Sequence, residues 1–338
     1  MGSTSLFSSA AIFGRKYQLT LSDPADDGTS VEIFTISDSD SEPEALRITF
    51  DVSMQCYSAY WEATIDIYNM DVTLVDKLLA DASSIRQGLL VTLKAGYQNG
   101  NFDVIWTGPV FQATWARENV VDFKLSLHCI FSLVSALSGS ADAAINASLG
   151  TNQTEIIRSI LRNLGLKADF ISQDINQKKL SRGKKMFGDP DRYLTWLAED
   201  NQMVWFLSHR GLAIGPLLSS ETDNAASQDP AVIYTPTTGL LDTPVQTQNG
   251  VNFAVLLDPR LQARMPLMTV AIDQAAIREL KKQIGELILP LDQNGIYIVG
   301  AVRHVGDSRG GPWYTAVTGY TRIQDALAWG GINANINR

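Results

Sequence analysis

Apolar and polar residues alternate along much of this chain. Leu46, Ile48, Phe50 and Val52 share one side of a run whose other positions are Arg47, Thr49 and Asp51. Ala63, Ile65 and Ile67 do the same within Trp61 to Asn69. A period of two puts successive side chains on opposite faces, so each run predicts a half-buried β-strand. Further strands are expected at Lys16 to Leu21, Val31 to Ile36, Leu89 to Ala95, Phe102 to Thr107, Pro109 to Trp115 and Val120 to Cys129. Many short strands with closely spaced turns point to a closed barrel or a sandwich.

The period changes in three places. After Asp71, a plausible N-cap, Leu74, Val75, Leu78 and Leu79 form one helical stripe. Residues 132 to 150 are rich in Ser, Ala and Gly and read as a linker. Asn152 with Glu155 then resembles a capping box, and Ile156, Ile157, Ile160, Leu161 and Leu164 carry helical spacing up to Gly165, a C-cap glycine. A second helix starts at Asp189-Pro190 and runs to about Asp200, burying Tyr193, Leu194 and Leu197. Met203 to Ser208 and Leu212 to Ile214 form a small hairpin around His209-Arg-Gly211. This middle part therefore reads as a small α+β domain, followed by a linker over residues 216 to 240.

The last third returns to strands at Val251 to Leu257 and Leu267 to Ile272, with a short helix or ordered loop at Ala275 to Gln283. It ends in a hairpin from Asn294 to Tyr320. Ile296, Ile298, Gly300 and Val302 are expected on one face, and Tyr297, Val299, Ala301 and Arg303 on the other. Gly306-Asp-Ser-Arg-Gly-Gly-Pro312 makes its turn. GINANINR reads as a tail. The first and last thirds can be laid over each other, Ala63–Asn69 on Asn252–Asp258, Leu89–Ala95 on Pro266–Ile272, Phe102–Val110 on Ile296–Val302, and Val121–Leu127 on Trp313–Thr318. An internal repeat implies two similar barrels in one chain. Closed symmetric oligomers are the norm, and a trimer of such a chain would present six similar barrels.

Composition narrows the function. A chain of 338 residues has room for two or three domains. No apolar run approaches the ~20 residues of a membrane-spanning helix, and the N-terminus lacks a signal-peptide pattern, so no membrane anchor is expected. Cys56 and Cys129 are the only cysteines, with no CxxC, and both are expected as buried thiols. A net charge of −9 repels phosphate backbones and argues against tight nucleic-acid binding.

Candidate chemistry is sparse. A hydrolase needs a nucleophile, a base and an orienting group. His128 lies in an apolar strand and His209 in a turn; only His304, Asp307 and Ser308 bring these residue types together. That stretch reads better as a hairpin tip than as a triad. The acidic groups Asp38, Asp40, Glu42 and Glu44, and Asp189 with Asp191, match no EF-hand spacing, and no GxGxxG or P-loop occurs, so no metal and no cofactor is expected. Lys178, Lys179, Arg182, Lys184 and Lys185 form the one strong basic run. It is either a solvated loop or a contact for an acidic partner.

Three segments together resemble the central baseplate hub proteins of phage tails, a group related to the N-terminal part of type VI secretion spike proteins. They are Asp191-Arg-Tyr-Leu-Thr-Trp-Leu-Ala-Glu-Asp-Asn-Gln-Met-Val-Trp-Phe with Arg210-Gly-Leu-Ala-Ile, Gly250 to Arg260, and Tyr297 to Thr315. The likeness runs from about Leu46 to Tyr320. It implies a mainly β (α+β) chain with two tail-tube-like β-barrel domains at 1–132 and 236–322, a small α+β domain with its linkers at 133–235 between them, and a tail at 323–338. It implies a non-enzymatic, homotrimeric hub in the virion tail baseplate, assembled in the host cytoplasm, in a contractile tail. Implied partners are the tail tube protein, the spike, the wedge proteins and a tape-measure protein. The resemblance also implies that DNA passes through the ring without specific binding. No lytic domain is expected in the eighteen residues after Tyr320. The basic run, with Arg303, His304, Asp307 and Arg309 at the hairpin tip, supplies the candidate partner contacts. A tail-associated cell-wall-degrading enzyme and a distal-tail or wedge adaptor are the alternatives.

Overall fold

The computed structural model describes residues 14–24, 30–38, 45–55, 60–82, 89–132, 143–163, 166–176, 179–188, 190–208, 211–216, 232–248, 250–263, 268–273, 277 and 295–321. The first third holds β1 (Arg15–Pro24), β2 (Ser30–Asp38), β3 (Ile48–Gln55), β4 (Tyr60–Tyr68), α1 (Val72–Ala82), β5 (Leu90–Tyr97), β6 (Phe102–Arg117) and β7 (Phe123–Ser132). Alternation does what it should in β3, where Ile48, Phe50, Val52 and Met54 are buried and the residues between them are not. Asp71 caps α1 by accepting from the Thr73 N–H at 2.8 Å. Val75 and Leu78 are buried, but Leu74 is exposed, so the apolar stripe is narrower than its spacing suggests. Pro109 does not divide two strands. β6 runs through it and turns a corner instead, pairing with β5 up to Pro109 and with β7 from Val110 onward.

The middle segment comprises β8 (Ala143–Ala147), α2 (Gln153–Asn163), β9 (Ala168–Ile171), α3 (Gln173–Asn176), β10 (Lys184–Gly188), α4 (Pro190–Asp200), β11 (Met203–Ser208) and β12 (Gly211–Pro216). It has a core of its own, built from Ile156, Ile157 and Ile160 of α2 and Leu194 and Leu197 of α4 against Ile214. Asn152 caps α2 through the Thr154 N–H at 3.1 Å. β8 lies inside the stretch expected as linker, where it pairs with β10. The expected Gly165 cap, Asp189 and His209 lie outside the described residues.

The last third holds β13 (Val232–Tyr234), β14 (Val245–Gln246), β15 (Gly250–Leu256), β16 (Thr269–Ile272), β17 (Ile296–Asp307) and β18 (Trp313–Thr321). β13 interrupts the second expected linker. The helix or loop expected at Ala275 to Gln283 lies outside the described residues except Ile277, and the C-terminal tail lies wholly outside them.

The described strands of both outer thirds join in a 13-stranded sheet. One third runs β3-β4-β7-β6-β5, the other β14-β15-β18-β17-β16, and every neighbour in both is antiparallel. The central strands are also irregular at the same place. β6 bulges at Phe111 and β17 at Gly300, and from each bulge six residues lead to the hairpin end, Gln112 to Arg117 and Ala301 to Gly306. These ladders equate Ala63 with Val251, one residue earlier than the alignment read from sequence. The two repeats meet where the outer edge of β17, from Ala301 to Asp307, pairs with β3. One apolar core spans both.

The bulge corrects the expected faces of the last hairpin. An unpaired residue shifts the period-two pattern by one. Tyr297 and Val299 before Gly300 therefore point the same way as Val302 and His304 after it, into the core. Gly300 is needed there because a Cβ would sit 1.9 Å from the Tyr320 ring.

Candidate functional site

The expected contact residues of the hairpin tip converge on the joint between the repeats. Asp307 closes β17, and its carboxylate accepts from Arg47 Nε at 3.2 Å and Nη2 at 2.8 Å, and from the Arg309 N–H at 3.0 Å. Arg15 donates to the Asp307 carbonyl at 2.6 Å and to the Gly311 carbonyl at 3.0 Å, and its guanidinium lies 5.5 Å from the centre of the Trp313 ring. Burial opposes ionisation of Asp307, but the Arg47 hydrogen bond, the Arg309 N–H and the Arg15 charge hold its carboxyl below the ordinary range. Ser308 exchanges two bonds with Ile48: its Oγ accepts from the Ile48 N–H at 3.0 Å and its N–H donates to the Ile48 carbonyl at 2.9 Å. The Arg309 guanidinium donates to the Ala45 carbonyl. Arg303 makes a two-pronged pair with Asp51 at 2.8 and 2.5 Å, which raises its pKa further.

His304 is fully buried, which removes it from the partner contacts expected of it. Its Nδ1 lies 2.9 Å from Thr315 Oγ1 on the neighbouring strand. The Thr315 hydroxyl also accepts from the Asp258 N–H at 3.0 Å. Asp258, itself buried, accepts from Tyr234 at 2.7 Å and from Arg260 at 2.6 Å. With the Asn101 amide turned so that its oxygen faces Arg260, it accepts from Nε at 2.9 Å, which reaches back to the first repeat. His304, Asp307 and Ser308 thus each have separate structural partners: Thr315 for His304, Arg47 for Asp307 and Ile48 for Ser308. What this arrangement can do is hold two repeats in fixed register.

The basic run is elsewhere. Lys178 lies outside the described residues. Lys179, Arg182 and Lys185 are exposed. Lys184 instead places its ammonium 3.0 Å from the centre of the Trp196 ring; burial lowers its pKa against the opposing charge of Asp200. Sequence periodicity missed Arg15 and Arg47, whose partners are distant along the chain, and Asp258, which joins Tyr234 and Thr315 as well as its near neighbour Arg260. Among the described residues no cluster of His, Cys, Asp and Glu could hold a metal, and no helix is long and apolar enough to cross a membrane.

The family model for baseplate hub gp41 matches residues 31–265. The chain belongs to this baseplate hub family. It is a structural tail protein of the phage baseplate. No curated protein matches it significantly. Among solved structures, the VgrG-containing PdpA–VgrG complex in its lidless form aligns with a TM-score of 0.52 at 8% identity, over 91% of this chain and 65% of that one. The half-lidded Francisella complex gives 0.51 at 9% identity, over 91% and 58%. These two show a shared fold. The 43 kDa tail protein of Shewanella oneidensis prophage MuSo2 aligns over 90% of this chain and 98% of its own, at 10% identity and a TM-score of 0.48.

The buried histidine of this hub chain gives a pH signature. Burial pushes His304 down to about 4, with the Asp258 charge opposing. In the unfolded chain it titrates near the ordinary ~6.5. Between these values the unfolded state binds more protons, so stability falls as pH drops from about 6.5 to 4, by on the order of 3 kcal/mol at full effect. Denaturant midpoints measured across that window should fall in the native chain and lie flatter in His304→Gln. Equal slopes would place the acid sensitivity on another group.

Proposed function

We infer that the chain is the structural hub that joins the hexameric tail tube to the trimeric spike. In this reading it is a homotrimer whose six β repeats form a pseudo-six-fold ring, with DNA passing through the middle. The single observation that carries it is the duplicated topology held by one intrachain joint, since two alike modules per chain let three chains meet a six-fold object. The net charge of −9 suits a ring that must not retain DNA.

The division at 1–132, 133–235, 236–322 and 323–338 belongs to this proposal, supported by separate outer and middle cores. Wedge proteins and a tape-measure protein complete the proposed surroundings, in a contractile tail assembled in the host cytoplasm. Lys179, Arg182 and Lys185 are proposed contacts for an acidic partner, because their charges are exposed in the middle segment. Arg303 and Arg309, though exposed, already serve acceptors within the chain.

Light scattering of the purified chain should give the mass of three protomers, and negative-stain images should show hollow rings of six lobes. A monomer at every concentration, or a solid particle, would remove the ring.

A further inference from the structure

The middle segment turns its cations outward around an exposed aromatic ring. In the outer thirds, basic side chains are spent inside the chain: Arg47 on Asp307, Arg303 on Asp51, Arg260 on Asp258 and Lys124 on Asp66. Lys179, Arg182 and Lys185 are exposed and, among the described residues, join no ion pair. Alternation along β10 sets this face. Lys184 and Met186 turn inward, onto the Trp196 ring and into the middle core, while Lys185 and Phe187 turn outward. Phe187 is 72% exposed, yet its backbone is fixed. The Tyr193 hydroxyl accepts from the Phe187 N–H at 2.8 Å and donates to its carbonyl at 2.7 Å, and β8 pairs with the same strand. At the other end of this ribbon Leu149 is also 72% exposed. Continuing the pairing of Lys184 with Ala147 by two residues sets it across from Arg182. A held aromatic ring between cations has the make-up of a protein-binding hot spot.

The charge of the chain is unevenly shared. Residues 1–132 contain 17 acidic and 8 basic residues, residues 133–235 contain 11 and 10, and residues 236–338 contain 8 and 9. The net charge of −9 therefore belongs to the first repeat. Its helix α1 repeats the pattern of the basic face with the opposite sign. Val72 is 58% exposed, and Asp76, one turn on and on the same flank, is exposed with Asp71 at the cap. Neither carboxylate has a cation partner among the described residues. Hydrogen bonds from the Thr73 hydroxyl and N–H hold the Asp71 carboxyl below the ordinary range, so it stays charged.

We propose that the outer face of β10 docks on α1 of a second copy of this chain, with Phe187 against Val72 and the cations of Lys185 and Arg182 facing Asp76 and Asp71. The two faces do not meet within one chain, since Phe187 and Val72 both keep most of their surface exposed there. A second copy is the occupant because the first repeat carries the opposing charge and each copy brings both faces. The contact is head-to-tail, the type that closes into rings. It rests on the trimeric reading above and adds a clasp, in which each middle segment reaches the first repeat of its neighbour. The ion pairs orient this contact, and the burial of Phe187 supplies most of its strength.

Sedimentation equilibrium of the full chain tests this by exchanging charges. Lys185→Glu and Asp76→Lys change exposed positions and should each keep the native circular dichroism spectrum. At about 0.1 M salt each should weaken trimer association about tenfold, a modest effect at each of three contacts. The double variant should recover most of that loss, because opposite signs face each other again. Phe187→Ser should weaken association more than the charge changes do. Its effect should persist at about 1 M salt, where the screening length has fallen from ~10 to ~3 Å. A native trimer whose single variants associate normally, or whose losses the double variant does not recover, overturns this docking and leaves the ring standing. A Phe187→Ser trimer as tight as the native one does the same. A native chain that stays monomeric at every concentration overturns both the ring and the docking.

Discussion

Replacing Val299 by proline should dismantle the second repeat and its joint to the first, yet leave the middle segment folded. Val299 is fully buried beside the Gly300 bulge, pairs with Gly319 of β18, and donates its N–H to the Met268 carbonyl at 3.0 Å. Proline removes that donor and cannot fit mid-ladder, a loss of ~3 kcal/mol or more. The damage reaches β3, because the strand that carries Val299 also carries the pairing from Ala301 to Asp307. The core around Ile157, Ile160 and Leu197 shares no residue with the outer one. Limited proteolysis should therefore cut the outer thirds while sparing a fragment spanning about residues 143–216, and sedimentation should show no assembled form. Assembly at the native level would mean that this hairpin does not carry the joint.

What could be read from the sequence depended on whether a pattern was local. The strand of Ile48, Phe50 and Val52 was legible because one face is buried along its whole length. The cap at Asp71 was legible because a carboxylate two residues ahead of a free N–H is a short-range device. The order of the repeat was legible too, but not its register. Bulges at Phe111 and Gly300 each insert one residue, and neither bulge announces itself in composition. β8 and β10 were missed because each is short and, among the described strands, pairs only with the other. His304 looked like a tip residue, since its burial depends on the bulge phase and on Thr315 across the ladder. Arg47 and Asp307 stand 260 positions apart, so no window along the chain could pair them.

Gly306→Val should be the most damaging small substitution at the joint. A Cβ at this position would lie 2.2 Å from the Phe50 ring, well inside contact distance. Phe50 cannot swing aside, because it is buried and packs edge-on against Trp313 at 5.3 Å. Relief then requires prising β17 from β3, which also strains the Asp307–Arg47 pair one residue on. Overpacking a tight core costs about 1–3 kcal/mol, and loss of the adjoining ladder adds to it. Melting of the outer core should fall by several degrees or more, with Gly306→Ala intermediate. Phe50→Leu, which withdraws the ring, should restore part of the loss in the double variant, beyond the sum of the single effects. The equivalent position of the first repeat is Arg117, which is exposed and, among the described residues, has no strand along its outer edge. Arg117→Val should accordingly leave the melting of the isolated protomer nearly unchanged, although the two positions occupy the same place in the same fold. If both substitutions cost alike, the side-by-side contact of β17 and β3 is not what demands glycine at 306.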